Sequence, residues 1–200
     1  QGVKIRAIGP LVKTAGIEIV KLAKRAANES ETRLMVHIGE LYHEGPTLTR
    51  ELVPLLEAGD ILTHSFTPNP GRILDDDDAV LAEVLEAQRR GVTLDTAFGR
   101  FNFSFEVARR AIEQGLRPDT IATDMTIPGR NESVFSMPEM LTRFLALGFS
   151  ISDVIAMTTI NSARALGLEA ELGDLTPGRV ADISVLEAVS GDWTVSDVKG

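Results

Sequence analysis

The chain of 200 residues carries three histidines, and all of them sit where an apolar run gives way to loop residues. The stretch "RLMVHIGELYHEG" holds His37 and His43, and "DILTHSFTPNPG" holds His64. Asp124 closes a third run, "TIATDM", and Lys4 lies inside a fourth, "VKIRAI". Two neutral imidazoles with a carboxylate suit zinc or a similar divalent ion. Such an ion lowers the pKa of a bound water toward neutrality and so makes a hydroxide nucleophile. Asp124 is placed to take the proton. Singly, each residue has a plainer reading. A strand-end histidine is commonly a hydrogen-bonded structural residue, a strand-end aspartate caps a loop, and a strand lysine snorkels past an edge. Their recurrence about every thirty residues is what makes them a set.

The elements that must position them follow from the apolar pattern. Short β-type runs are expected at 3–8, 33–38, 60–65, 91–96 and 120–125. Helical stripes lie between and after them: Ile17, Val20, Ala23 and Ala27; Val80, Leu81, Val84, Leu85 and Gln88; Val107, Ala108, Ala111 and Ile112; Leu141, Phe144 and Leu145. Gly59, Gly91 and Gly115 stand where helix C-termini should end, and Ser150 to Asp153 reads as a capping motif. Asp75 to Asp78 are expected to cap the helix that follows them, since their spacing is not that of a calcium loop. The alternation predicts an α/β chain with a parallel sheet and crossover helices. Five βα units do not close a barrel, which needs eight. The sheet is then either open and doubly wound, or part of a barrel whose first three units lie upstream. A chain that opens on Gln1, almost directly into a strand, favours the second.

Strand side chains alternate between faces. Leu34, Val36 and Ile38 share one face, and Met35 and His37 the other. Lys4, His37 and Asp124 all fall opposite the aliphatic face, although the alternation is less clean around Leu62 and His64. A parallel strand is covered on both sides, so such groups are expected to be buried, and costly unless paired or metal-bound. His37, His64 and Asp124 also lie at carboxyl ends of strands, where α/β proteins place their sites. Domain boundaries are set at 1–168 for the βα part and 169–200 for a tail, "GDLTPGRVADISVLEAVSGDW" and its flanks, expected to form two or three antiparallel strands.

Composition narrows the function. Hydrophobic content of 44% and charged content of 24% belong to an ordinary globular chain. A net charge of −9 argues against nucleic acid and anionic membrane as partners. The absence of cysteine removes thiolate chemistry and disulfides. "FGRFNFSF" is read as packing rather than base stacking, and the two Asn-x-Ser sequons at Asn28 and Asn131 as chance. A cytoplasmic location, a small-molecule substrate and a homo-oligomer are expected.

The ordered set "VKIRA", "MVHIGE", "LTHSF", "LDTAFG", "IATDM", "TTINSARALGL" and "GDLTPGRVADISVLE" resembles the carboxyl-terminal half of the amidohydrolase superfamily. The likeness is greatest to its dihydroorotase-like and adenine-deaminase-like branch, the amidohydrolase/deacetylase metallohydrolases. It implies strands four to eight of a (β/α)8 barrel, followed by part of a small β-sandwich. It also implies one or two divalent metals, commonly zinc. By the same resemblance Lys4 matches the lysine that is carbamylated and bridges two zinc ions. His37 and His64 match the histidines that hold one metal, and Asp124 matches the aspartate that is both ligand and general acid/base. The family's His-x-His pair has no counterpart here, so the chain is expected to be one half of a longer enzyme. Arg6, Tyr42, His43, Arg130 and Asn131 are candidate substrate contacts, being on the inward face or in the following loops. The function expected is hydrolysis of an amide, cyclic amide or ester, with N-acyl and O-acyl compounds first. Amino-purine deamination and a metal-free scaffold are the alternatives.

Overall fold

The computed structural model describes residues 2–42 and 45–198. Five strands form: β1 (Gly2–Arg6), β2 (Arg33–His37), β3 (Ile61–Thr63), β4 (Thr93–Ala97) and β5 (Thr120–Ala122). Each lies inside, or within a residue of, one of the expected runs. Neighbours pair in parallel, and their order in the sheet is their order in the chain. That order is the one barrel sheets have and doubly wound sheets lack. A doubly wound sheet reverses direction at a switch point to place helices on both faces. Right-handed crossovers that always step the same way keep the helices on one face, as a barrel does.

The crossovers hold α1 (Gly9–Ala15) and α2 (Glu18–Glu29), then α3 (Thr49–Leu52) with a 3-10 turn (Val53–Leu55), then α4 (Ala82–Arg90) and α5 (Phe105–Glu113). After β5 come α6 (Ile127–Glu132), α7 (Met137–Ala146), α8 (Ile151–Thr158) and α9 (Ile160–Leu166). Their buried faces follow the helical period. Val20, Ala23 and Ala27 are buried on α2, and Val107, Ala108 and Ala111 on α5. On α7, Met140, Leu141 and Phe144 are buried, while Leu145 is turned outward. These stripes meet the aliphatic face of the sheet, where Leu34, Val36, Leu62, Leu94 and Ile121 are buried. Full burial of each such side chain is worth about 1.5–3 kcal/mol. Gly91 ends α4 in a left-handed conformation, φ 96°, and Ser150 with Asp153 forms a reciprocal capping box on α8.

Three expectations are corrected. Asp75 to Asp78 do not cap a helix. Asp75 Oδ1 accepts from the Asp77 and Ala79 amides at 3.0 and 2.9 Å, closing a turn. This local side-chain bond outcompetes helix, so α4 begins at Ala82. Lys4 is exposed, because among the described residues β1 has a neighbour on one side only, and its residues alternate between exposed and half-buried. The stretch 169–198 forms neither strand nor helix, so the expected strands of a β-sandwich are absent among the described residues. A β-branched run becomes a strand only when a neighbour completes its ladder. Here Ile183, Val185 and Leu186 are exposed. The end of the tail is nevertheless tied down. Phe105 N donates to Asp197 Oδ2 at 2.8 Å, and the buried Arg143 donates through Nε to Ser196 O at 2.9 Å. Among the described residues no helix is long and apolar enough to cross a membrane.

Candidate functional site

Parallel register places residues of neighbouring strands side by side. Arg6 stands beside His37, His37 beside Thr63, and Asp95 beside Thr120. Thr63 and Thr120 both bond Asp95, so these residues form one row on the face away from the helices. Lys4 and Met35 lie one layer nearer the amino ends. The row ends in the loops that follow β3 and β5, where His64 and Asp124 sit.

His64 does not continue the alternation of β3. Its φ is +67°, and that of Asp124 is +45°. Left-handed backbone is uncommon outside glycine, although histidine and aspartate tolerate it better than most. It costs on the order of 1–3 kcal/mol and persists where the surroundings enforce it. The turn swings the His64 ring to the His37 side, with ring centroids 4.1 Å apart at an interplanar angle of 69°. This explains why Leu62 and His64 broke the pattern in the sequence.

His64 Nδ1 lies 2.8 Å from the Ala97 carbonyl oxygen. A carbonyl only accepts, so Nδ1 carries the hydrogen and Nε2 presents a lone pair. That Nε2 is buried and has no hydrogen-bond partner, and the same holds for His37 Nε2. Asp124 Oδ2 approaches His64 Nε2 to 3.7 Å, which is beyond hydrogen-bond range. Its side chain is 38% exposed, whereas that of His64 is fully buried. The carboxylate therefore faces solvent on one side and an imidazole on the other.

Electrostatics keep both rings neutral. Burial, aided by His64, Arg6 and Lys4, pushes the His37 imidazole down to about 2. Burial also lowers His64, against the Ala97 carbonyl, Asp124 and Asp95. Lys4 thus acts on both imidazoles from its exposed place on β1. Neutral imidazole is the form that ligates a metal. The donor set fits a divalent ion in part: two orphaned Nε2 atoms and a nearby carboxylate. Among the described residues, no three His, Asp or Glu side chains close around one point. His37, His64 and Asp124 would hold such an ion, and the set is incomplete without a further donor.

The other candidates are more dispersed. Arg6 is exposed beside His37. Tyr42 is exposed, with its ring against Gly9. Arg130 and Asn131 lie exposed on α6. His43 lies outside the described residues. Three buried carboxylates had no assigned role in the sequence reading: Asp60, which accepts from the Leu34 and Glu57 amides and pairs with Lys24 at the amino end of β3, Glu40 and Asp95. Glu40 accepts from the Gly9 amide and from the Tyr42 amide, the latter at 2.6 Å, tying the loops after β1 and β2 together. Asp95 bridges β3 and β5. The signal that was there to read is a lone carboxylate in "TLDTA", a strand otherwise apolar or threonine. Two surface clefts lie away from these residues, one beside Lys24 and Pro54 and one among Arg33, Asp119 and Arg164 at the amino ends of the strands.

Consecutive parallel strands with ionisable groups gathered at their carboxyl ends are the arrangement found in (β/α)-barrel folds. Within that class, the chain belongs to the amidohydrolase family, whose sequence model matches residues 13–199. A deacetylase of Brucella anthropi is 31% identical over 199 residues, covering 100% of this chain and 48% of its own. The crystal structure of an adenine deaminase superposes with a TM-score of 0.91 at 30% identity, over 98% of this chain and 53% of that one. A dihydroorotase structure superposes at 0.81 and 30% identity, over 98% and 51%. The chain spans about half the length of the curated relatives it matches.

Proposed function

We propose that this chain supplies part of the active site of a metal-dependent hydrolase, acting on an amide, cyclic amide or ester of a small molecule. The observation that carries the reading is the pair of buried, unpartnered Nε2 atoms on His37 and His64, with their rings 4.1 Å apart. A buried polar atom without a partner costs about 1–3 kcal/mol. A scaffold would gain nothing by keeping two, whereas a ligand site needs both lone pairs free.

When bound, a divalent ion supplies Lewis acidity and brings a water's pKa toward neutrality. The chain's own residues do the rest. His37 and His64 offer Nε2, and the Ala97 carbonyl fixes the tautomer that makes His64 able to do so. Asp124, open to solvent on one side, accepts the proton of the attacking water and returns it to the leaving nitrogen or oxygen. Lys4 is the candidate for the carbamate that would bridge two zinc ions, and its amine lies exposed and within electrostatic reach of both imidazoles. The barrel placement of β1 to β5 as strands four to eight belongs to this reading.

Deacetylase relatives that align with the whole chain put N-acyl and O-acyl compounds first. The dihydroorotase and adenine deaminase likenesses add cyclic amides and ring amines. All of these reactions break a bond from a trigonal carbon to nitrogen or oxygen, so one constellation serves each. The test is the full-length protein, purified without chelator, with metal content measured and turnover assayed on N-acetyl, O-acetyl, dihydroorotate and adenine substrates. About two divalent ions per chain with turnover of an acyl compound supports the reading. Protein free of metal and without turnover supports the scaffold.

A further inference from the structure

Asp95 is 6% exposed, and both carboxylate oxygens are engaged. Thr63 Oγ1 donates to Oδ2 at 2.5 Å, and Thr120 Oγ1 donates to Oδ1 at 2.7 Å. One side chain in β4 thus grips the strand on each side. Its backbone adds a third hold, since the Ser65 amide donates to the Asp95 carbonyl at 3.0 Å. Thr63 and Ser65 are the two residues that flank His64. Two positions further along β4, the Ala97 carbonyl takes the His64 ring hydrogen. Three hydrogen bonds around His64, from the Thr63 hydroxyl, the Ser65 amide and the ring itself, thus end on Asp95 or Ala97, while the His64 carbonyl accepts from the Thr67 amide at 2.9 Å.

This explains how a non-glycine residue is kept at φ +67°. Free of these ties, residue 64 would relax toward extended backbone, and the ring would leave His37. The same carboxylate holds Thr120, whose strand leads into the turn that carries Asp124. Each Asp95 oxygen spends a lone pair on a neighbouring strand, so the carboxylate's role in this arrangement is to hold β3 and β5. We propose that Asp95 is a positioning residue: through Thr63 and Thr120 it fixes His64 and Asp124 in register across β4, and so sets the affinity of the site for its metal. This rests on the metal-hydrolase reading above.

The test uses the full-length protein and Zn2+ alone, with Kd read by chelator competition, and Co2+ absorption as a second probe of ligand geometry. Asp95→Ala loses both bonds, and zinc affinity should fall about 10–100-fold with a weakened Co2+ band, as second-shell losses do. Asp95→Asn keeps one oxygen, and its amide can donate to a threonine hydroxyl turned to accept, so its Kd should stay within about threefold of wild type. Unchanged affinity in a folded Asp95→Ala overturns the proposal, and so does an Asp95→Asn as weak as Asp95→Ala. Where Asp95→Ala does not fold, Thr63→Val and Thr63→Ser decide. Loss in the first and recovery in the second supports the proposal, and wild-type affinity in Thr63→Val overturns it. Wild-type protein that binds no zinc overturns the metal reading and this proposal with it. Equal binding by wild type and variant overturns this proposal alone.

Discussion

The Asp124 carboxylate rests against the bare α-carbon of Gly99: a β-carbon added there would stand 2.7 Å from Asp124 Oδ2. Gly99 also has φ +58°, the left-handed region that glycine enters without steric cost. Gly99→Ala therefore does two things at once. It strains the loop after β4 by about 1–2 kcal/mol, and it pushes the carboxylate away from His64. The expected outcome is a folded protein, slightly lowered in Tm, with turnover down about 100-fold, the usual cost of misplacing a reacting group by an ångström. Steady-state kinetics on the full-length protein check it; wild-type kcat in Gly99→Ala would show that Asp124 does not need this seat.

Asp124→Asn tests the proton transfer proposed for this carboxylate. The side chain is 38% exposed and, among the described residues, its approach to His64 Nε2 at 3.7 Å lies beyond hydrogen-bond range, so the amide fits without repacking. Circular dichroism and Tm should match wild type. Turnover should fall about 10²–10⁴-fold, the range that general acid–base groups contribute. A variant that keeps its rate would mean that the proton leaves by another group.

Much of the architecture could be read from the chain before any coordinates. Leu34 and Val36 alternate with Met35 and His37 because one face meets helices and the other does not, and that alternation marked both the strand and its direction. The even spacing of His37, His64, Asp95 and Asp124 reported one βα unit each. Other features were not legible, for physical reasons. The exposure of Lys4 depends on β1 having no neighbour on one side among the described residues, which is a property of the sheet and not of "VKIRAI". The left-handed turn at His64 is held by a tertiary bond to β4, which no local propensity announces. The grip of Asp95 needs two threonines that are distant in sequence to fall beside it. The tail carries strand-type residues, but a strand also needs a partner, and residue type says nothing about that.

The capping box of α8 gives a prediction on stability alone. Ser150 Oγ accepts from the Asp153 amide at 3.1 Å, and the Ser150 amide donates back to Asp153 Oδ2 at 3.1 Å. Ser150→Ala removes the first bond, at a cost of about 1 kcal/mol. Tm should drop by about 2–4 °C for a chain of this size, and zinc affinity should not change. These bonds from Ser150 also hold the Asp153 carboxyl below its ordinary value of 3.8. Its share of the stability is present above that value and is lost as pH falls through the lower folded-state value. Asp153→Asn should remove that part of the acid response in a melt series from pH 5 to pH 2.

Asp119 responds to pH in the opposite sense. Its Oδ2 accepts from the Leu94 amide at 2.8 Å at the amino end of β5, yet burial outweighs this and raises its carboxyl above 3.8. Well below 3.8 the group is protonated in folded and unfolded chains alike and makes no difference. As pH rises through 3.8 the unfolded chain ionises first, while the folded chain keeps its proton, so the folded state binds more protons and stability falls. The loss levels off once pH passes the raised folded-state value. Asp119→Asn keeps an oxygen for the Leu94 amide and has no charge to desolvate. It should therefore match wild type in acid and exceed it in Tm at neutral pH, with the gap opening through that window. Melts of both proteins from pH 3.5 to pH 7 measure the gap. A difference that stays constant with pH would assign the effect to hydrogen-bond geometry and would remove burial of the charge as its cause.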